Sequence, residues 1–501
     1  MKRADRVPRF RESESEVGET DGEIASPHRL PPLHHDIKVP HGLSGELKTH
    51  FLAIHLSCCG SFDYLVMTKL DVIIVGAGIG GLQCALSLAA DGHKVTLLES
   101  VKEFLEVGAG IRVSPNSSRL SLSWGVDLAS VKKETSRGNR FVDWKGNILL
   151  DCPYDDVESR YGAPYYFIHR ADLINALVAA VRKNNLIELR MNTRVAEYDF
   201  ETPALTISTG ERLTSDLIVC ADGIKSAVRT AINGRSIEPV DTGDVAYRIL
   251  VPTKTLLEDP EMAPYVKEAW AVHWMGPEAH AVGYPLRGGE MYNIIIDVTH
   301  STDLSEPIGL DEWRSEADNG HLVERFSEWC PPVRKLCALT GTYLKWKLAD
   351  FDALDHWAHS SGKVVLLGDS CHPMMPYMAQ GAAQATEDAA TLAATLRAYD
   401  SIPDALHAYE KQRKPRAAYV AKNTRVLQEW LHLYDGPERE RRDEMAKHDD
   451  ENNPFFWGYS ERKDWLFGHD ATVLAEQKIP SLPPLPSPEA SVYKAGQHAR
   501  L

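Results

Sequence analysis

Short apolar runs alternate with longer segments that repeat an apolar face every three or four residues, the pattern of a parallel sheet covered by helices. Asp71 to Val75 is a β-branched run suited to a buried strand. It predicts a following helix over about Gly80 to Asp91, stopped at Gly92, and a second strand over Lys94 to Leu98. An aromatic strand, Tyr165 to Ile168, leads into a helix opening at His169, whose Leu173, Ala176, Leu177, Ala180 and Val181 give it one buried face. Ile187 to Val195 and Ala204 to Ile207 read as strands. Leu213 to Ala221 reads as a strongly apolar strand ending in Asp222-Gly223, with a helix after it carrying Ser226 and Arg229. Val364 to Leu367 is a last buried strand, followed at once by Gly368-Asp369 and then by a small-residue helix over about Ala382 to Tyr399. Further helices are predicted from about Ile402 to His432.

Between Val245 and Val298 the pattern changes to alternation with aromatic content. Four strands, at about Val245 to Val251, Ala269 to Met275, His280 to Pro285 and Tyr292 to Val298, predict an antiparallel sheet with one face toward a pocket. Upstream of about Thr68 the chain is rich in Arg, Glu, Ser, Pro and His and has little periodicity. That stretch reads as a disordered extension, with Met67 as an alternative start, and its first thirty or so residues lack the apolar core of a signal peptide. Residues 479–488 are proline-rich and read as extended.

Length, at 501 residues, favours two or three domains. A net charge of -16 argues against nucleic acid or an anionic membrane surface as the main partner. No apolar run approaches the roughly 18 residues of a spanning helix. The eight cysteines are scattered without C-x-x-C pairs, which fits reduced intracellular thiols, and no zinc pattern is present.

Candidate chemistry begins at the first strand. Gly76, Gly78 and Gly81 stand at G-x-G-x-x-G spacing between that strand and its helix. The first permits the tight turn, the second lets backbone approach a pyrophosphate, and the third brings helix and sheet together. Glu99, at the end of the second strand, is placed to accept hydrogen bonds from a ribose. This context predicts a dinucleotide site, with NAD and FAD both open. Gly108 and Gly110 allow close approach to a ligand, and Arg119, one turn into a helix, either reaches the pyrophosphate or is a surface arginine. Arg248 and Tyr284 are polar residues within the alternating strands that either face the pocket or lie on the solvated face, and His273 and His372 are weaker acid/base candidates.

With GAGIGG, Asp222-Gly223 and Gly368-Asp369 in order, the chain resembles the single-component FAD-dependent aromatic hydroxylases, most closely their fungal salicylate-hydroxylase-like members, over about Lys69 to Leu474. The resemblance implies an α/β fold: a Rossmann-like FAD-binding domain with an inserted antiparallel-sheet substrate domain and C-terminal helices. It divides the chain into an N-terminal extension (1–67), an FAD domain (68–240 and 351–400), a substrate sheet (241–350), a helical region (401–478) and a tail (479–501). By the family pattern Gly76, Gly78, Gly81 and Glu99 hold the ADP half of FAD, and Arg119 and Arg170 line the phosphate and ribityl region. Asp369 binds the ribityl or pyrophosphate side, Gly110 and Arg112 pass the flavin, and Gly381 and Ala382 meet its pyrimidine edge. Asp222 serves both FAD and the nicotinamide cofactor, for which no second Rossmann unit is present.

The implied reaction uses NADH or NADPH to reduce the flavin and O2 to form a C4a-hydroperoxide that hydroxylates a phenol, with Pro376 beside the peroxide. Arg248 would pair with a carboxylate or phenolate, and Tyr284 would donate a hydrogen bond or relay a proton. Salicylate would lose CO2 and give catechol; a fungal polyketide or other phenolic secondary metabolite is the alternative, and a non-catalytic binding protein on the same fold is a third. The family's Gly-Asp-Ala-Ala-His pattern is changed at Ser370 and Cys371, and Met378-Ala379-Gln380-Gly381 replaces a more glycine-rich loop, which leaves its backbone conformation open. The ending Ala499-Arg500-Leu501 resembles a peroxisomal address as an alternative to the cytoplasm.

Overall fold

Five parallel strands collect the predicted ligand-binding turns on one edge. In this computed structural model residues 69–104, 110–299, 314–474 and 483–488 are described, all within the unit Leu65–Leu501. The N-terminal extension, Gly108, Cys58, Cys59 and the Ala499-Arg500-Leu501 ending lie outside the described residues. In chain order the elements that frame the site begin with β1 (Asp71–Val75), α1 (Ile79–Ala90), β2 (Lys94–Leu98), β3 (Gly110–Val113), α2 (Pro115–Ser123) and β4 (Lys133–Thr135). They continue with β5 (Gly138–Asp143), β6 (Ile148–Pro153), β7 (Tyr166–His169), α3 (Arg170–Lys183), β8 (Ile187–Arg190), β9 (Val195–Asp199), β10 (Ala204–Ile207), β11 (Arg212–Thr214) and β12 (Leu217–Cys220). After β13 (Val240–Pro252) come β14 (Trp270–Gly276), β15 (Ala279–Leu286), β16 (Met291–Thr299), β17 (Arg314–Asp318), β18 (Thr342–Asp350), β19 (Val364–Leu366), α4 (Gly381–Ala398) and α5 (Ile402–Leu431).

The parallel sheet has the order β19-β12-β1-β2-β8. Parallel strands finish on the same edge, so the turns after β1, β2, β12 and β19 converge there although they span almost 300 residues of sequence. The interior of this sheet reads as continuous apolar sequence because helices cover it: Val72, Ile73, Ile74, Leu97, Ile218, Val219 and Val365 are all buried. Helix α1 is buried along nearly its whole length, and α4 lies close enough that a Cβ on Gly80 would stand 3.2 Å from that of Ala385.

Two expected strands are each divided. Leu213 to Ala221 splits at Ser215-Asp216: β11 pairs with β10 in a small antiparallel sheet, while β12 enters the parallel sheet. The Asp216 carboxylate accepts from the Asp71 amide at 2.8 Å, which fixes the start of β12 against β1. Ile187 to Val195 is broken between β8 and β9, where Asn192 takes a left-handed φ of 53°. The helix after Asp222 spans Val228–Asn233 and carries Arg229 but not Ser226.

The alternating region forms most of an eight-stranded sheet of order β17-β18-β13-β16-β15-β14-β5-β6. It is mixed rather than wholly antiparallel, because β14 pairs parallel to β5. Register explains the alternation. Arg248 is opposite Ile295, Ala246 opposite Asp297, and Asp297 opposite His280. Tyr284 shares the parity of His280, and His273 faces Val282, so all of these side chains stand on one face of the sheet. The other face carries Val245, Tyr247, Ile249, Ile294, Ile296, Val272 and Trp274, which form a separate apolar core.

The Met378-Ala379-Gln380-Gly381 loop turns without a glycine at its left-handed position. Ala379 adopts φ 52° and ψ 41° two residues before α4. An L-residue with a Cβ is disfavoured there by roughly 1 kcal/mol. Ala379→Gly is therefore expected to raise the thermal midpoint slightly, by up to about 1 kcal/mol of stability; a lowered midpoint in differential scanning calorimetry would contradict this. Residues 483–488 form neither helix nor strand and are held on α5 by Tyr419 donating to the Pro483 carbonyl and Trp430 to that of Pro486.

Candidate functional site

The three glycines of the first turn meet different constraints. A Cβ on Gly76, whose φ is 100°, would lie 2.5 Å from the Ala221 carbonyl oxygen, and one on Gly81 would lie 1.9 Å from that of Gly76. Both positions are therefore closed by the protein itself. A Cβ on Gly78 would meet nothing within 4 Å. Gly78 instead opens onto a cavity of about 890 Å3, which Gly81 does not reach.

That cavity runs from the glycine turn to the mixed sheet. At one end are Gly76, Gly78 and Glu99, whose carboxylate is fixed by the amides of Ala77 at 2.9 Å and Val101 at 3.0 Å. Further along are Arg170 of α3 and Asp369 after β19, placed so that each charge favours the other: burial raises the Asp369 carboxyl, while His372 and Arg170 oppose the rise. Burial also lowers the Arg170 guanidinium, with Asp369 opposing. Asp222, just after β12, is pushed up to about 6 by burial, with Arg229 opposing, and its Oδ1 has no hydrogen-bond partner among the described residues. The first turn of α4 presents Gly381 and Ala382 to the cavity, and the nearest atoms to a Cβ on Gly381 would be 3.9 and 4.0 Å away. The unsatisfied amides of that turn favour an anionic or acceptor edge.

At the other end stand Arg112, Arg248, His273, Tyr284 and Pro376. The Arg248 guanidinium lies 4.6 Å from the Trp346 ring centroid, and its Nε donates to no acceptor among the described residues. Tyr284 is buried, with its ring 4.8 Å from Phe167 and packed so closely on Gly110 that a Cβ there would lie 2.5 Å from the ring. Gly110 thus serves the tyrosine as well as the cavity. Burial raises the Tyr284 phenol to about 12 against the pull of Arg112 and Arg248, so it is a neutral donor. Arg112 donates to Asn139 Oδ1 at 3.0 Å, and His273 Nε2 is 3.1 Å from the same oxygen. Burial and then Arg112 hold His273 well below its ordinary pKa, so it stays neutral.

Two sequence candidates stand elsewhere. Arg119 does not line the cavity; its guanidinium donates to the carbonyls of Tyr161 and of His469 (2.7 Å), tying α2 to distant segments. His372 is buried outside the cavity with Nε2 2.5 Å from Asp388 Oδ2, beside the ion pairs of Arg413 with Glu387 and Asp388. Its partners commit it to that network rather than to acid/base chemistry. Conversely, His280, Asp297, Trp346 and Tyr377 line the cavity without having been singled out in the sequence. Strand parity with Tyr284 points to His280; Asp297 emerges only from the register of β16 against β15.

The model of the FAD binding domain matches residues 69–424. An FAD-dependent monooxygenase, OpS4, of Beauveria bassiana (strain ARSEF 2860) is 35% identical over 427 residues, covering 83% of this chain and 98% of its own. The chain belongs to the FAD-dependent monooxygenases. A 3-hydroxybenzoate 6-hydroxylase of Polaromonas naphthalenivorans (strain CJ2) is 32% identical over 411 residues, covering 80% of this monooxygenase and 96% of its own chain. A salicylate hydroxylase solved as a substrate complex superposes with a TM-score of 0.67 at 25% identity, covering 80% and 96% of the two chains.

The monooxygenase has FAD as its cofactor and NAD(P)H as co-substrate. The residues present fit FAD. Gly78 and Gly381 leave open backbone where a side chain would fill the cavity, and the Asp222 Oδ1 acceptor is unused among the described residues. Among the described residues no helix is long and apolar enough to cross a membrane. The six described cysteines are buried and unpaired.

Gly78→Val tests the cofactor end directly. The new side chain meets no protein atom at its Cβ, so the fold is expected to survive while FAD affinity falls at least about tenfold, or 1.4 kcal/mol, in a flavin-fluorescence titration. Unchanged affinity would contradict this use of Gly78.

Proposed function

We propose that the enzyme hydroxylates a phenolic or aromatic-acid substrate, held between the mixed sheet and FAD in the one continuous cavity. The observation that carries this reading is the placement of Arg112, Arg248 and Tyr284 around the end away from Glu99. A neutral phenol donor beside two guanidinium groups is suited to the oxygen of a phenolate or carboxylate. Arg248 supplies the charge for the substrate anion, stacked on Trp346 so that little rotamer freedom remains to be lost on binding. Tyr284 donates its hydrogen bond to the same oxygen. Val282, Ile295, Met374 and Pro376 give the substrate ring apolar contact and exclude water.

At the other end, Glu99 would accept from the ribose, Arg170 would face the phosphates, and Asp222 and Asp369 would hold ribityl or phosphate-side groups. The first turn of α4 would favour negative charge at the pyrimidine edge of the ring. Bound FAD, reduced by NAD(P)H, supplies the activation of O2 that delivers one oxygen atom to the substrate.

Salicylate is one substrate that fits this description, with attack at the carboxyl-bearing carbon releasing CO2 and leaving catechol. A phenolic secondary metabolite is the second reading, favoured by the similarity to the fungal monooxygenase OpS4. The deciding experiment follows NADH and NADPH oxidation by the FAD-loaded protein over a panel of phenols and hydroxybenzoates. Catechol and CO2 formed one-for-one with oxidised cofactor establish salicylate. Hydroxylation of another phenol, with salicylate releasing only hydrogen peroxide, removes salicylate; peroxide alone with every phenol sinks the hydroxylase reading.

A further inference from the structure

A line of buried polar groups leaves the cavity at Asp297 and ends at a second carboxylate. The His280 Nε2 stands 3.4 Å from Asp297 Oδ2, and His280 Nδ1 stands 2.7 Å from His432 Nε2. His432 Nδ1 is 2.9 Å from Thr299 Oγ1, which donates to Asp244 Oδ1 at 2.7 Å. Asp244 Oδ2 accepts from Gln428 and, at 3.3 Å, from Tyr377. All five groups of the line are at most 2% exposed, and Asp297 Oδ1 has no hydrogen-bond partner among the described residues.

We propose that Asp297, His280, His432, Thr299 and Asp244 form a proton relay that takes the phenolic proton of the substrate from the cavity and stores its equivalent on Asp244. The proposal rests on the phenol reading of the site and adds the base that this reading needs.

The chemistry of each group fixes the direction of the hydrogen bonds. An ionised Asp244 only accepts, so the Thr299 hydroxyl must donate to it and the His432 Nδ1–H must donate to Thr299. His432 Nε2 is then an acceptor, so His280 donates from Nδ1 and accepts at Nε2, from Asp297 as the carboxylic acid. The electrostatics agree. Burial, followed by Asp244, raises Asp297 to about 8 against Arg248, while burial and Arg112 lower His280 to about 3. His432 is held well below its usual value by burial, His280 and Arg325.

Transfer balances without a further reactant. The substrate O–H breaks and its proton joins Asp297 as the Asp297 proton moves to His280 Nε2. His280 passes its Nδ1 proton to His432 Nε2, His432 passes its own to Thr299, and Thr299 passes its proton to Asp244. Both histidines end neutral in the opposite tautomer, and the negative charge has moved from Asp244 to the phenolate beside Arg248 and Tyr284.

The test is nitrogen-15 NMR of histidine-labelled, FAD-loaded protein, with His280→Gln and His432→Gln variants for assignment. It is read with and without 4-nitrophenol, whose ionisation is followed by its absorbance. Both histidines are expected as Nδ1–H tautomers before binding and as Nε2–H tautomers once the phenol is bound and ionised. Asp244→Asn keeps the shape of the line but removes its proton acceptor. Loss of a nearby negative charge would by itself make the bound phenol more acidic; loss of the relay instead raises its apparent pKa by about one unit, or tenfold in the equilibrium. Charged or Nε2–H histidines in the free enzyme, or a phenolate bound with unchanged tautomers, would overturn the relay. An Asp244→Asn variant that ionises the phenol more readily would overturn it as well. Failure of 4-nitrophenol and the whole phenol panel to perturb the flavin spectrum overturns the phenol reading itself, and the relay with it.

Discussion

Arg413→Met is expected to destabilise the enzyme by roughly 3–5 kcal/mol, the cost of leaving a buried charge without its partner. Arg413 is fully buried on α5 and donates to Asp388 Oδ1 at 2.7 Å, Glu387 Oε2 at 2.6 Å and the Gln384 side-chain oxygen at 2.8 Å. Arg416 and Asn116 also bind Glu387, while His372 binds Asp388. Methionine replaces the length of the side chain but supplies no donor, so two buried carboxylates would share Arg416 and His372. This network spans α2, α4 and α5 and the loop after β19, so its loss loosens the base of the flavin end. Burial works against ionised Glu387, but Arg416 and Arg413 outweigh it and hold that carboxyl well below its usual range.

The sign of the pH effect follows. Because the folded pKa is below the unfolded value of about 4.3, this stabilisation is complete above that pH and is lost as pH falls toward the folded value. With Arg413 removed the folded value rises, so the acid loss begins at higher pH. Thermal midpoints between pH 3 and 7 check both points; a variant with the wild-type midpoint at neutral pH would contradict the ion-pair account.

Arg248→Gln is expected to lower kcat/KM by about 10²- to 10³-fold, in line with removal of a preorganised donor from developing or bound negative charge. The guanidinium is buried against Trp346, shares its sheet face with Asp297 and stands near Tyr284. Glutamine keeps hydrogen-bonding capacity but not charge, so an anionic substrate loses its partner in a site poorly screened by water. FAD affinity should stay within about twofold because the residue stands at the end of the cavity away from Glu99. Arg119→Gln is the comparison, expected to leave both FAD affinity and kcat/KM near wild type because its guanidinium serves the Tyr161 and His469 carbonyls. Steady-state kinetics with the substrate selected from the phenol panel, together with flavin titration, separates the two arginines; equal losses would contradict their assignment.

These arginines also show what the sequence could and could not reveal. The turn at Gly76 to Gly81 and the acid at Glu99 were legible because their constraints are local: a tight turn, a close helix and a strand end 18 residues beyond Gly81. Asp222 and Asp369 were legible because each directly follows an apolar strand, and parallel strands deliver their ends to one edge. Arg119 and Arg170 look alike in a sequence. What separates them is a carbonyl 350 residues away that captures Arg119, a partner set by tertiary packing alone. The fate of His372 was hidden for the same reason, its surroundings being set by Arg413 on another helix.

The mixed sheet was visible as alternation, which left Arg248 and Tyr284 open to either face; cross-strand register puts both on the cavity side. Its outer strands were not. β5 joins β14 in parallel across about 130 residues, a pairing that no local pattern encodes, and β6 and β18 have mixed burial rather than clean alternation. The Asp297 line required cross-strand register plus the return of α5 to bring His432 beside His280.

The central claim is that one cavity holds FAD and a phenolic ring together so that an oxygen atom from O2 enters the ring. The measurement that tests it most directly is mass spectrometry of the product formed by FAD-loaded enzyme with NAD(P)H and a panel phenol under 18O2. The account predicts product carrying one 18O atom for each NAD(P)H consumed, with the yield lost in Arg248→Gln. Oxidation of NAD(P)H with only labelled hydrogen peroxide and no labelled product from any phenol would contradict it.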